Sequence, residues 1–271
     1  ASWSRGLGDV YKRQNGRFGN QMFQYAATRG IAAARGYDFI IPDGPRTDEE
    51  FYDEEKQHKL FMAFNMTGAK NIGLLEASYR KEASFRYDKE LVKRCPDNVN
   101  LYGYFQSERY FFHIEDEIRK DFTFRDEVEE NCHNFLDQAI GESEFITVHV
   151  RRTDHLIKPT FHPVLPISYY EEALGRMPEN IPVVVLTDDP SWAFGHKFFE
   201  SDRFFISESD NIHDMCLMSM SQYNIIANST FSWWGAWLAG HRNVIAPKLW
   251  FGPDGEDPTD IFIDRWEYLD V

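Results

Sequence analysis

From Asn15 onward the chain keeps returning to one pattern: a short apolar run, a polar turn, then a stretch whose apolar positions recur at helical spacing. FITVHV (residues 145–150) gives way to RRTD, VVVLT (183–187) to DDPSW, and NIIAN (224–228) to STFSWW. Short continuous apolar runs rich in β-branched residues suit strands buried on both faces, and their alternation with helical segments is the mark of a parallel sheet covered on both sides. The expected fold class is therefore α/β. In such sheets ligands gather at the C-terminal ends of the strands, where the following helix offers unbonded N–H groups, so the chemistry is expected in these polar turns.

The rest of the chain fits the same frame. GRFGNQMFQYA reads as a glycine turn over residues 16–19 that feeds a helix, with Met22, Tyr25, Ala26, Ile31 and Ala32 at helical spacing. YDFII (37–41) and NLYGYF (100–105) read as strands, and SERYFFHIEDEIRKDFTF (107–124) as one amphipathic helix. Helices are expected over residues 126–140, in YYEEALGRM with an interruption at Gly175, in HDMCLMSMSQ, and in FSWWGAWLAG closed by Gly240. DRFFIS reads as a short strand and NVIAPKLWF (243–251) as the last one. The least regular joint lies around residues 125–141, which divides the chain into an N-terminal lobe, 15–140, and a C-terminal lobe, 141–271. The opening ASWSRGLGDVYKRQ (1–14) has neither strand alternation nor an apolar run and breaks off abruptly, so it is read as a non-native leader.

Composition narrows the partners. A net charge of -15 over 271 residues disfavours broad contact with nucleic acid or an anionic membrane, both polyanions, so any bound anion needs a local cationic pocket. No segment approaches the roughly 18 apolar residues of a membrane span. Cys95, Cys132 and Cys216 lie far apart without a CxxC pair, which suggests neither a disulfide framework nor a zinc site. The expected location is the cytoplasm, with peripheral attachment to a membrane as the alternative. Two glycosylation-type tripeptides, at Asn65 and Asn228, are short enough to arise by chance.

Within HVRRTD, His149 and Arg151 alternate on one strand face, and an arginine fork at a strand end suits bidentate phosphate binding. The competing reading is that Arg151 and Arg152 simply pair with Asp154 or other carboxylates. Ser229, Thr230 and Ser232 stand where a helix cap and first turn belong; they offer phosphate ligands or ordinary capping. Trp233, Trp234 and Trp237 have the spacing of core packing. Asp188 and Asp189 leave three readings open, namely capping, Mg²⁺ coordination, or hydrogen bonding to the edge of a guanine ring. His162, His213 and Asp214 are equally open. Gly19 permits close backbone approach to a ligand, and Asn20 and Gln21 stand at the helix entrance.

Taken together, GRFGNQMFQYA, YFQSERYF, VHVRRTD, LPISYYEEAL, LTDDPSW, IIANSTFSWWGAWLAG and APKLWF resemble, in order and over most of residues 15–251, glycosyltransferase family 11, the α-1,2-fucosyltransferases. The resemblance implies a GT-B-like fold of two Rossmann-type lobes with a donor cleft between them. It further implies inverting, metal-independent transfer of fucose from GDP-β-L-fucose to a galactose 2-hydroxyl, with no cofactor. The partners would be a nucleotide sugar and a glycan acceptor. HVRRTD and TDDPS also resemble motifs of α-1,6- and protein O-fucosyltransferases, a likeness that bears on the donor more than the acceptor. Carried over, Arg151 would bind the donor β-phosphate and Arg152 would support it. His149 and one of Asp188 or Asp189 would contact guanine. Ser229, Thr230 and Ser232 would hold phosphate at the helix start, and Gly19 and Asn20 would line the cleft from the N-terminal lobe. Asp154 and His155 are the nearest titratable residues for an acceptor base, though Asp154 could equally orient an arginine. Two departures stand out: no strand precedes the glycine turn, and Asn15-Gly16-Arg17-Phe18 replaces a Gly-Gly-Leu type of turn. A fucosyltransferase with another acceptor, or a GDP-sugar-binding protein without turnover, are the alternatives.

Overall fold

A computed structural model describes residues 17–41, 59–73 and 76–271, and the expected leader lies outside them. Two compact units emerge, one running to Arg125 and rejoined by Asp257–Ile263, the other made of Asp126–Glu256 and Asp264–Val271. The division falls at Arg125/Asp126 rather than at 140/141.

The first unit is built on α1 (Phe18–Arg35), which ends at Gly36 with φ 67, its N–H turned back to the carbonyls of Ala32 and Ala33. A left-handed residue that satisfies the last carbonyls is the usual way to stop a helix. Gly19 is buried within the first turn of α1, so the expected glycine turn is already helix there; Gly16 falls outside the described residues. Because α1 is buried nearly all round, its polar side chains need internal partners. Gln24 Nε2 donates to Gly103 O at 3.0 Å and Tyr25 OH to Asp121 Oδ2 at 2.6 Å. Asp121 also accepts from Gly68 N at 2.6 Å and Thr67 Oγ1 at 3.1 Å, and pairs with Arg29.

The unit continues through α2 (Leu60–Ala63), β1 (Ser78–Lys81), α3 (Lys89–Arg94), β2 (Val99–Tyr102) and α4 (Glu115–Asp121), with β1 and β2 parallel. Of the expected 37–41 strand, Ile41 keeps an isolated parallel bridge to Ile72. The expected helix over 107–124 is broken into 3-10 turns at Glu108–Tyr110 and Phe112–Ile114 before α4. Its buried residues Tyr110, Phe111, Ile114 and Ile118 keep helical spacing, which is why the sequence reads as one helix, but the Tyr110–Phe111 backbone presses directly on Gly30 of α1. Asp260 draws the returning segment in, accepting from Arg86 Nε at 2.7 Å, Arg109 Nη1 at 2.8 Å and Tyr87 N at 2.9 Å.

The second unit contains α5 (Asp126–Ala139), β3 (Ile146–Val150), α6 (Thr153–Ile157), α7 (Ile167–Leu174), β4 (Val183–Thr187), α8 (Pro190–Phe194), β5 (Phe204–Ile206), α9 (Asn211–Met220), β6 (Tyr223–Ile225), α10 (Thr230–Ala239), β7 (Val244–Pro247) and β8 (Glu267–Leu269). The strands form one parallel sheet in the order β5-β4-β3-β6-β7-β8. The order in which strands are added reverses between β3 and β6, the switch point at which doubly wound sheets bind their ligands. β7 is not the last strand as expected; three residues of β8 complete the edge. All residues of β3 and β4 are buried, and Trp233, Trp234 and Trp237 lie in the core as their spacing predicts. α5 packs against α9, which is why the boundary falls before it.

Asp214 on α9 is buried beneath this sheet, with Ser207 Oγ donating to its Oδ1 at 2.6 Å. Burial pushes its carboxyl up from 3.8 to about 7, with Asp210 adding to the rise and the Ser207 hydroxyl opposing it. The folded state then keeps a proton that the unfolded chain releases near pH 4. This group's contribution to stability is full below that pH and declines as pH rises to about 7, by on the order of 4 kcal/mol. Asp214→Asn should therefore gain thermal stability over the wild type at pH 8 and much less at pH 5. Melting both proteins at the two pH values checks this; a difference independent of pH would contradict it.

Candidate active site

The parallel register aligns Val150 at the end of β3 with Thr187 at the end of β4, so the RRTD turn and the DDP turn leave the sheet side by side. Asp188 holds the two turns together. Its Oδ1 accepts from Arg152 N at 2.8 Å and its Oδ2 from Thr153 Oγ1 at 2.5 Å and Thr153 N at 3.1 Å, and Oδ2 forms an ion pair with Arg151, 3.2 Å from Nε. The first N–H groups of α6 are thus capped by a residue from the neighbouring strand.

Arg151 is held by two carboxylates: Asp154 Oδ1 lies 2.8 Å from both its Nε and Nη2, and Asp188 Oδ2 lies 3.2 Å from the same Nε. Its side chain is 15% exposed, enough to meet a ligand but with little freedom to swing. Arg152 is fixed differently. Its guanidinium lies 3.9 Å from the Trp192 ring centroid and Nε donates to Asp189 Oδ2 at 3.4 Å. Stacking on an indole suits arginine's flat, weakly hydrated cation. Asp189 meanwhile caps α8, its Oδ1 accepting from Trp192 N at 3.2 Å. Of the three readings left open for the acidic pair, capping describes Asp189, and Asp188 caps a helix on another strand.

Across the switch point, Ser229 caps α10, its Oγ accepting from Phe231 N at 3.3 Å, and Thr230 is the first helical residue. Ser232 departs from expectation: it is fully buried and its hydroxyl turns back to the carbonyls of Ala227 and Ser229 at 3.2 and 3.3 Å. α10 is apolar on most of its circumference, so a serine inside it satisfies its hydroxyl on its own helix rather than on a ligand. His149 joins the two sides, its ring 5.1 Å from that of Phe231. It is 3% exposed, Nδ1 has no protein partner among the described residues, and burial brings its pKa down to about 4, so the ring is neutral at pH 7.

His155, expected beside Asp154 as a candidate base, is turned inward: it is 4% exposed and stacks on His162 at 5.0 Å and 11°. Burial lowers the pKa of both rings. Asn228 was not expected to take part, yet its Nδ2 ties down two loops through Pro163 O at 2.9 Å and Trp250 O at 3.1 Å; burial also removes it as a glycosylation acceptor. The only sequence signal was its place one residue before the α10 cap. Gly19 and Asn20 belong to the first unit, where Asn20 Oδ1 accepts from Gln106 Nε2 at 2.9 Å. His213 pairs with Asp210 at 2.9 Å on the α5–α9 face, beside a cavity of about 250 Å³. Among the described residues no three His, Cys, Asp or Glu side chains gather as a metal site, and no helix is long and apolar enough to cross a membrane.

The profile of Glycosyl transferase family 11 matches residues 4–270. The chain is 30% identical over 287 residues to the alpha-1,2-colitosyltransferase of Escherichia coli, covering 95% of this chain and 97% of that one. It is 26% identical to galactoside alpha-(1,2)-fucosyltransferase 1 of Oryctolagus cuniculus, covering 93% and 71%. The solved structure of NodZ alpha-1,6-fucosyltransferase soaked with GDP-fucose superposes with a TM-score of 0.52, covering 87% of this chain and 91% of that chain at 14% identity. At such identity the structural likeness speaks to the fold, which is of the GT-B class.

Proposed function

The chain belongs to glycosyltransferase family 11 and is a glycosyltransferase; from that premise we propose that it transfers L-fucose from GDP-β-L-fucose to the 2-hydroxyl of a galactoside, with inversion and without a divalent metal. The observation that carries the reading is the pair Arg151 and Arg152, each fixed by carboxylates, in the turn after β3 at the switch point of the parallel sheet. A guanidinium fork and a helix N-terminus on the two sides of that point are what a diphosphate needs.

Cleavage of the donor's glycosidic bond leaves negative charge on the β-phosphate while the sugar becomes oxocarbenium-like. A cation already fixed in place stabilises that change without reorganising, and Arg151 would act there as the ion does in metal-dependent transferases. The N-terminus of α10, with Ser229 and Thr230, would add N–H groups and a hydroxyl. Asp154 is committed to Arg151, which favours orienting the guanidinium over accepting the acceptor's proton. A loose transition state would require no strong base, in keeping with the inward-facing His155. The neutral His149 would face the nucleotide base.

A second reading has an observation of its own: the E. coli relative carries the name colitosyltransferase, and colitose is fucose without its 3-hydroxyl. The deciding experiment offers GDP-fucose and GDP-colitose separately, with lactose and N-acetyllactosamine as acceptors and EDTA present. NMR of the product then reads the linkage. Fucose α-1,2-linked to galactose is the expected product. Transfer of colitose alone would select the second reading, and transfer only after adding Mg²⁺ or Mn²⁺ would overturn the metal-free part.

A further inference from the structure

Resting on the GDP-donor reading above, we infer that Asp188 is a positioning residue that aims the Arg151 fork at the diphosphate, and that it does not read the guanine base. A carboxylate offers about four lone-pair sites on two oxygens. On Asp188 the donors are Arg152 N, Thr153 N and Thr153 Oγ1, at 2.5 to 3.1 Å; the last two fill both lone-pair sites of Oδ2, beside which Arg151 Nε forms an ion pair at 3.2 Å. Holding adjacent N–H groups of a guanine edge takes both oxygens of one carboxylate, and Oδ2 is spent.

The clamp is arranged to fix a direction. Two backbone N–H groups and a hydroxyl set where the turn leaves β3, while the ion pair of Asp188 with Arg151 restrains Nε. Asp154 then holds Nε and Nη2 from α6, so the Nε edge of the guanidinium is held by residues of different elements. Because Asp188 is 36 residues from Arg152 in sequence, the alignment depends on the β3–β4 register. Asp188 would thus act through Arg151 without touching the ligand.

Asp188→Asn separates this role from base reading. The amide keeps the size of the carboxylate but turns an NH₂ toward N–H and O–H donors, which loosens the turn. We expect the GDP affinity to fall about 10- to 100-fold, in line with the loss of charge-assisted bonds. The GMP affinity should change little, and the preference for GDP over IDP should stay as in the wild type. Thr153→Val, which removes only the hydroxyl donor, should lower the GDP-to-GMP ratio about threefold and keeps the test open if Asp188→Asn fails to fold. Calorimetry at a temperature where circular dichroism shows native protein gives the three affinities. A GDP-to-GMP ratio unchanged in both variants would overturn the inference. So would loss of the GDP-over-IDP preference, the signature of an aspartate that reads guanine. If the wild type itself binds no GDP, the donor reading fails first and this inference with it, which distinguishes the two failures.

Discussion

Replacing Arg151 by lysine should lower kcat/KM for donor turnover by roughly 30- to 1,000-fold, or about 2–4 kcal/mol of transition-state stabilisation. Lysine keeps the charge but not the fork. In the native site Nε and Nη2 both meet Asp154, and Nε also forms an ion pair with Asp188, so one edge of the guanidinium is held by two carboxylates. A single ammonium can meet a carboxylate or a phosphate, but it cannot hold two carboxylates in one plane and still offer a preset edge. The loss should appear mainly in kcat, because the charge being stabilised grows as the bond breaks. Melting temperature should change little, since a partly exposed arginine adds little to folding. Steady-state kinetics beside a thermal melt checks both parts. A fall of less than threefold in kcat/KM would remove Arg151 from the chemistry.

The largest loss of stability is expected from Gly30→Ala in the middle of α1. A Cβ there would sit 2.1 Å from Tyr110 O and 2.9 Å from Tyr110 C and Phe111 Cα. All three are backbone atoms, so no side chain can rotate away. Overpacking usually costs about 1–3 kcal/mol, and a clash with backbone at both ends belongs at or beyond the upper limit. The helix and the turn must separate, which would also strain the contact of His113 Nε2 with Gly30 O at 3.0 Å. Gly36→Ala serves as the comparison: φ is 67 and nothing lies within 4 Å of the new methyl, so only the left-handed backbone penalty of about 1 kcal/mol applies. Denaturant titration of the two variants should show Gly30→Ala as much the more damaging. Equal losses would mean that the close approach is not as described.

The sheet of the second unit was legible because buried parallel strands have to be apolar on both faces; β3 and β4 stand out for that reason. Their polar ends stood out as well, but an arginine pair there fits both a phosphate site and simple pairing with carboxylates, and its carboxylate partners are what the structure shows. What Asp188 does was hidden. Its partners lie on another turn, and only the parallel register shows that the ends of β3 and β4 meet. Ser232 misled because helix position was read without the surroundings of the helix. With apolar neighbours on most sides, its hydroxyl had only its own backbone to bond. The helix expected over 107–124 failed through a contact that no local pattern records, the backbone crossing at Gly30. β8 was too short, at three residues, to signal itself by composition.

A diphosphate site built from arginine and a helix N-terminus would bind GDP without metal. Calorimetric titration of GDP into the wild-type protein with EDTA present, and into Arg151→Ala alongside, tests it most directly. We expect one saturable site per chain, unchanged when EDTA is replaced by Mg²⁺ and lost in the variant. Binding that requires the metal, or that survives intact in Arg151→Ala, would contradict the account.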